Sequence, residues 1–327
     1  MKRRGCLGLL AGAGIGALAG THAAAAEYAW TQPMHIIVPF PPGGGTDLVA
    51  RLLAERLTPR LDTPVIVDNR PGCNSIIATR AVAGAPPDGS VFGLTTDIHA
   101  INAAFAQSLP FDSVRDFVFV CQLTTSPLML VAHPGVGVRT LGELVTLARA
   151  QPGRLSFASL GPSSPHHLGF EWFKRMAGID VVDVPYKGGG QALVDVMGGQ
   201  VQLSLVVAGN GMRQVRAGKL VALAVTSAQR NAAAPEVPTF AESGFPEFSL
   251  MNWYALLGPA GTPQSAVARL ARECATVLRE PSAVEKIAAA GLEVAVGTPA
   301  EAAELVRGDI ERWRRIIKLT DARPQGN

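Results

Sequence analysis

The sequence predicts an α/β protein of two lobes, each a mainly parallel sheet flanked by helices. Two observations carry this. A short β-branched run at residues 35–40 passes through a glycine-rich turn into a helical pattern that sets Leu48, Leu52 and Leu57 near one face. Far downstream, a strand at 155–159, a hydroxyl-rich turn at 160–165 and a helix at 166–176, with Leu168, Trp172 and Met176 spaced four apart, repeat the same device. Strands alternating with helices mean a parallel sheet, and two such turns far apart suggest lobes facing across a cleft, where small ligands bind.

The chain opens with a basic head, Met1 to Arg4, an apolar run from Cys6 to Gly20 and alanines at 24–26. That order reads as a secretory signal cleaved after Ala26, which places the mature protein in the periplasm. Sec export fits the residues around Arg3 and Arg4 better than twin-arginine export. The apolar run is short for a membrane span, and no later stretch reaches its length without charge. Cleavage removes Lys2, Arg3 and Arg4, so the formal charge falls from +3 to zero, with 26 acidic residues balanced. No basic field remains for nucleic acid or membrane, and any anion must be held by local dipoles and hydroxyls. A mature chain of about 300 residues favours two lobes over one. Cys73, Cys121 and Cys274 are too few and odd in number for a disulfide framework; free buried thiols are expected, with one pair left open.

After the first helix, residues 64–68 form a second strand, 69–72 a turn and 75–85 a helix of small residues. Pro-Pro-Asp-Gly at 86–89 is a turn, 91–95 a third strand, and 121–132 holds a fourth that crosses between lobes. Past the second turn, a strand at 181–184 opens into another glycine turn and a helix that Gly198 and Gly199 stop near Met197. Strands at 201–208 and 221–226, a proline-rich connection at 235–246 and a return crossing at 248–258 follow. The crossings divide the chain into lobe 1 (27–124 and 249–327) and lobe 2 (125–248). The tail is helical. Thr262 and Pro263 open one helix, and Thr298-Pro-Ala-Glu is a capping box whose helix buries Ala302, Val306, Ile310, Trp313 and Ile317.

The chemistry centres on the glycine turns. Glycines let backbone N–H groups face inward, Thr46 or Asp47 stands to cap the helix, and first-turn amides prefer anions. No Gly-Lys-Ser/Thr follows and the dinucleotide glycine spacing is absent, so no cofactor is expected. A hydrolase would rest on Ser163 or Ser164 beside His166 and His167. Adjacent residues on one turn rarely aim at each other, the turn is not a G-x-S-x-G elbow, and no orienting acid is identifiable. A metal site at the two histidines is opposed by geometry, since neighbouring helical side chains diverge by about 100°.

Taken in order, the Val-Pro-Phe-Pro-Pro-Gly-Gly-Gly-Thr-Asp segment (38–47), Asp-Asn-Arg-Pro-Gly (68–72), Pro-Asp-Gly (87–89), the turn at 159–168 and Val-Pro-Tyr-Lys-Gly (184–188) resemble the Bug/TctC family. These are extracytoplasmic solute-binding proteins of tripartite tricarboxylate transporters, and the resemblance covers essentially the whole mature chain. It implies a flytrap-like periplasmic binding protein, monomeric and without catalysis, that closes on a small carboxylate and hands it to a membrane permease. Docking on a sensor protein is the alternative. It implies a pocket formed by Phe40, Gly43, Gly44, Thr46 and Asp47 on one side and Ser159, Gly161, Ser164, His167, Tyr186 and Gly188 on the other. Asp47 either caps its helix or meets a ligand ammonium or hydroxyl; Tyr186 either lines the pocket or closes a strand; Lys187 is a solvated turn residue. The sequence departs from the family at Ser163 and Ile77, and at Cys73-Asn74-Ser75, where Ala-Gly-Gly is usual. Asn74 and Ser75 are therefore expected to offer polar contacts to a smaller or more functionalised acid, with helix capping by Asn74 as the competing role.

Overall fold

The computed structural model describes residues 27–105, 108–231 and 234–322; the expected signal peptide at 1–26 lies outside them. Along the chain the elements are β1 (Met34–Val38), α1 (Gly45–Leu61), β2 (Val65–Asn69), α2 (Ile76–Ala83), β3 (Val91–Thr96), α3 (Asp97–Ala104) and β4 (Phe117–Ala132). There follow α4 (Leu141–Ala150), β5 (Ser156–Ser159), α5 (Pro165–Ala177), β6 (Val182–Pro185), α6 (Gly189–Met197), β7 (Leu203–Val207), α7 (Ala208–Arg216) and β8 (Val221–Val225). The chain ends through β9 (Met251–Pro259), α8 (Gln264–Leu278), α9 (Pro281–Ala289), β10 (Glu293–Val294) and α10 (Pro299–Thr320).

The strands form two half-sheets joined by shared strands, in the order β2-β1-β3-β9-β4-β7-β5-β6. In the first half β2, β1 and β3 are parallel, and in the second β7, β5 and β6 are parallel. The joining strands run antiparallel to their neighbours. Residues 117–127 of β4 pair with β9, whereas 128–132 pair with β7 and β8. One strand therefore belongs to both halves. It begins at Phe117, four residues before the expected start, and its register against β9 slips twice, after Phe119 and after Gln122. Such bulges increase local twist, which lets a single strand serve two sheets of different orientation.

Each half is covered by helices as apolar alternation demands. Met34, Ile36, Val38 and Phe92 turn one face of the first half toward Leu53 and Leu57 of α1 and Leu270 of α8, all buried. The opposite face carries α2, α3 and α10, and its core runs without a break into the second half through Trp253, Trp313, Phe157, Phe173 and Phe248. Each such side chain contributes roughly 1.5–3 kcal/mol by leaving water. Helix α10 packs on α3, β4 and α5, so it touches both halves. Its capping box forms as expected, with Thr298 and Glu301 exchanging hydrogen bonds and Pro299 in the first turn. Ile316, not Ile317, completes the buried stripe, and Ile317 is half-buried beside it. In α5 the buried face is Leu168, Phe170, Phe173 and Ala177, with Trp172 and Met176 half-buried.

The three cysteines among the described residues are free. Cys73 is exposed, while Cys121 and Cys274 are buried in thiol contact. The Cys121 hydrogen bond and burial push the Cys274 thiol well above its ordinary value.

Candidate ligand-binding site

Helices α1, α3, α5, α6 and α7 all begin on one cavity of about 640 Å³ between the two halves. From the first half come Phe40, Gly44, Gly45, Thr46, Thr96 and Asp97. The second half supplies Leu160, Ser164, His166, Gly188, the end of β7 and Asn210. Asn252 and Tyr254 of β9 line it too. Among the described residues, no lysine or arginine contributes to this lining, so positive potential comes from helix N-termini and backbone amides.

The first turn is built around Gly43, at φ +93°. Gly44 is the N-cap of α1, so Thr46 and Asp47 lie inside the first helical turn and neither occupies the expected cap position. Asp47 instead braces the turn from within. Its Oδ2 accepts the Gly43 N–H at 3.0 Å and Arg51 Nε at 2.9 Å, and its Oδ1 accepts Asn69 Nδ2 at 3.0 Å. Asn69 Nδ2 also donates to the Phe40 carbonyl at 3.0 Å. The Arg51 hydrogen bond is the main cause holding the Asp47 carboxyl down at about 2. With both oxygens engaged, Asp47 shapes the loop and is absent from the cavity lining, as is Gly43.

The second turn repeats the design with different donors. Gly161, also at φ +93°, gives its N–H to Ser159 Oγ at 3.2 Å. Ser164 is the N-cap of α5: its hydroxyl donates to the Gly161 carbonyl at 2.7 Å and accepts the His167 N–H at 3.1 Å. Ser164 thus caps the helix while lining the cavity. Consecutive helical side chains diverge, and here that divergence reverses the expected histidine. His167 turns away, its Nδ1 3.2 Å from Asp183 Oδ2, and His166 lines the cavity. Burial lowers His166 to about 4, leaving a neutral imidazole. Tyr186 closes a strand end: its hydroxyl donates to Asp195 Oδ2 at 2.9 Å, and it stays off the cavity, whereas Gly188 caps α6 on it. Lys187 is exposed.

Asn74 and Ser75 lie outside the lining. With Cys73 they take left-handed backbone at φ +46°, +48° and +71°, a region glycine occupies without strain. Neither expected role is found for Asn74. The N-cap of α2 is Ser75, without a side-chain bond, and the Asn74 carbonyl accepts Asn102 Nδ2 at 2.7 Å.

The sequence reading missed several polar lining residues, among them Thr96, Asp97, His166, Asn210, Asn252 and Tyr254. Asp97 carried a faint signal, an acid following a threonine where a strand ends and a helix begins. It is 3% exposed, and burial and then Asp309 raise its carboxyl well above the ordinary range, against an opposing pull from Arg312. Burial first, and Asp97 second, push Tyr254 up to about 12. At the rim, Gly209 at the start of α7 meets Gly291 backbone to backbone, and Asn231 Nδ2 donates to Glu293 Oε1.

Paired half-sheets joined by crossing strands, with helix N-termini converging on the cavity between them, make this the two-lobed fold of the periplasmic binding proteins. The chain belongs to the tripartite tricarboxylate transporter family receptors (TctC), whose family profile matches residues 49–321. It is similar to protein BugT of Bordetella pertussis, with 35% identity over 294 residues, 89% of this chain and 90% of the relative. Among solved structures it is similar to R. palustris Rpa4515 with adipate, at 32% identity and TM-score 0.80, covering 90% of this chain and 99% of that one. MatC (Rpa3494) from Rhodopseudomonas palustris with bound malate has 28% identity and TM-score 0.75, covering 88% and 99%.

Proposed function

We propose that this chain is a periplasmic receptor that captures one small carboxylate between its lobes and delivers it, chemically unchanged, to a membrane permease of the tripartite tricarboxylate type. The observation that carries this is a cavity onto which five helices open, with no cationic side chain in its described lining. Backbone amides there receive an anion at little desolvation cost compared with a buried guanidinium. The adipate-bound and malate-bound relatives support the ligand class. In this reading Phe40, Gly44, Thr46, Ser164 and Gly188 contact the ligand, while Gly43, Asp47, Ser159 and Gly161 hold the two turns in shape. Lobe 1 comprises 27–124 and 249–327, lobe 2 comprises 125–248, and a signal peptide is cleaved after Ala26.

A thermal-shift screen of the purified mature chain tests it. At about 100 times the dissociation constant, linkage gives ~2.7 kcal/mol of stabilisation, enough for a clear shift. A carboxylate that stabilises the protein and is recovered intact is the expected result; stabilisation only by cations or neutral sugars would refute the reading. Co-purification of the liganded form with permease subunits, as opposed to a sensor protein, tests the delivery step.

A further inference from the structure

Asp97 is the one acid among the described residues that line the cavity. The antiparallel register pairs Thr96 with Tyr254, so Asp97 and Asn252 lie just beyond that rung at the same end of β3 and β9. Asp97 Oδ2 and Asn252 Oδ1 are both buried without a hydrogen-bond partner. The charged groups that influence Asp97 most come from α10. There Asp309 accepts Trp253 Nε1 at 2.9 Å and Trp313 Nε1 at 3.1 Å and pairs with Arg312 at 2.6 Å. Arg312 is therefore committed to Asp309, and at Asp97 the Asp309 carboxylate outweighs it. On the other sides stand the neutral Tyr254 phenol of β9 and, on α3 itself, His99, bonded to the Ser113 carbonyl at 2.8 Å and lowered by burial.

An ionised carboxyl is tolerated in such a place only when a cation or donors satisfy it. For a plain dicarboxylate, an acid in the cavity wall is a repulsion. For a ligand that carries its own cation it is a counter-charge.

Building on the carboxylate-receptor reading, we infer that the ligand is a zwitterionic amino carboxylate, its carboxylate received by the helix N-termini and its ammonium by Asp97 and Asn252. A full ammonium offers three donors, enough to serve both unpartnered acceptors. Charge-assisted bonds of this kind in a dry cleft are the strong ones. Burial raises the Asp97 carboxyl well above its ordinary range, and an ammonium beside it favours the ionised form.

Calorimetry on the mature protein with matched probes decides the matter: 6-aminohexanoate against adipate, and aspartate against succinate and malate. The amino member of a pair should bind about ten- to a hundredfold more tightly. In buffers of different ionisation enthalpy, any proton exchanged on its binding should be a release, since the ammonium favours the ionised carboxyl. Asp97→Asn, which keeps the shape and removes the charge, should reverse the ranking in favour of the dicarboxylate. A wild-type preference for the dicarboxylate, or proton uptake on binding, would overturn the inference while leaving the carboxylate receptor standing, with Asp97 then acting as a neutral donor. Binding of none of the probes would overturn the inference, while the carboxylate reading stands or falls by the thermal-shift screen. The wild-type ranking stands as a test whether or not the variant folds.

Discussion

Ser75 holds a serine side chain at φ +71° with its hydroxyl buried and unpartnered, next to Asn74 at φ +48°. A left-handed non-glycine residue costs roughly 1–2 kcal/mol, while glycine gives back about 0.5–1 kcal/mol through unfolded-chain entropy. Replacing both residues with glycine should therefore raise stability by roughly 1 kcal/mol, seen as a higher urea midpoint. Because neither residue reaches the cavity, the ranking of ligands should stay the same. Sequence marked this spot as a departure from the family and misread its meaning, because side-chain chemistry was weighed where backbone geometry decides. His166 and His167 show the same limit. Two adjacent histidines at a helix start are legible, but which one faces the cavity depends on a helical phase that no local pattern displays.

At the scale of elements, the strand, turn and helix units were legible because their signals are local. β-branched runs, glycine turns, the Thr298 capping box and the α10 stripe all sit within a few residues of the structure they specify. α3, α4, α7 and the two-residue β10 went unread, since runs so short hardly display a period. With α3 went Asp97. The N-terminus of α1 illustrates what an element gains from a non-local brace. Asp47 ties the turn to Arg51 and Asn69, and its carboxyl lies near 2, below the ordinary 3.8. A lowered value means the contribution is complete above the unfolded value and is lost as pH falls through about 2. Asp47→Asn should be less stable than wild type in denaturant unfolding at pH 7, with the gap closing between about pH 4 and 2. Since Arg51 is 56% exposed, salt should shrink the gap as well.

For the whole molecule, the halves meet on two sides. The continuous aromatic core through Trp253 and Trp313 joins them along α10, and the Gly209 contact with Gly291 joins them at the rim. A Cβ at Gly209 would stand 2.7 Å from the Gly291 Cα, backbone that cannot rotate aside, while α7 itself accepts alanine readily. Gly209→Ala should thus hinder lobe closure and leave the separate lobes sound. Overpacking of this size costs about 1–3 kcal/mol, so ligand affinity should fall about tenfold and X-ray scattering in solution should report a larger radius with ligand. Unchanged affinity would remove the rim contact from the closure mechanism.

The placement of β9 between β3 and β4 also fixes an order of events during synthesis. Thr96 must wait for Tyr254 and Phe119 for Leu257, so the edges of β3 and β4 emerge unpaired while the whole second half, contiguous in the chain, is made and free to pair. Non-local pairing of this kind is slow, and open strand edges invite association between chains. The nascent protein is therefore most exposed to aggregation in the interval before residue 251 appears, and a chaperone that shields those two edges would act in that interval.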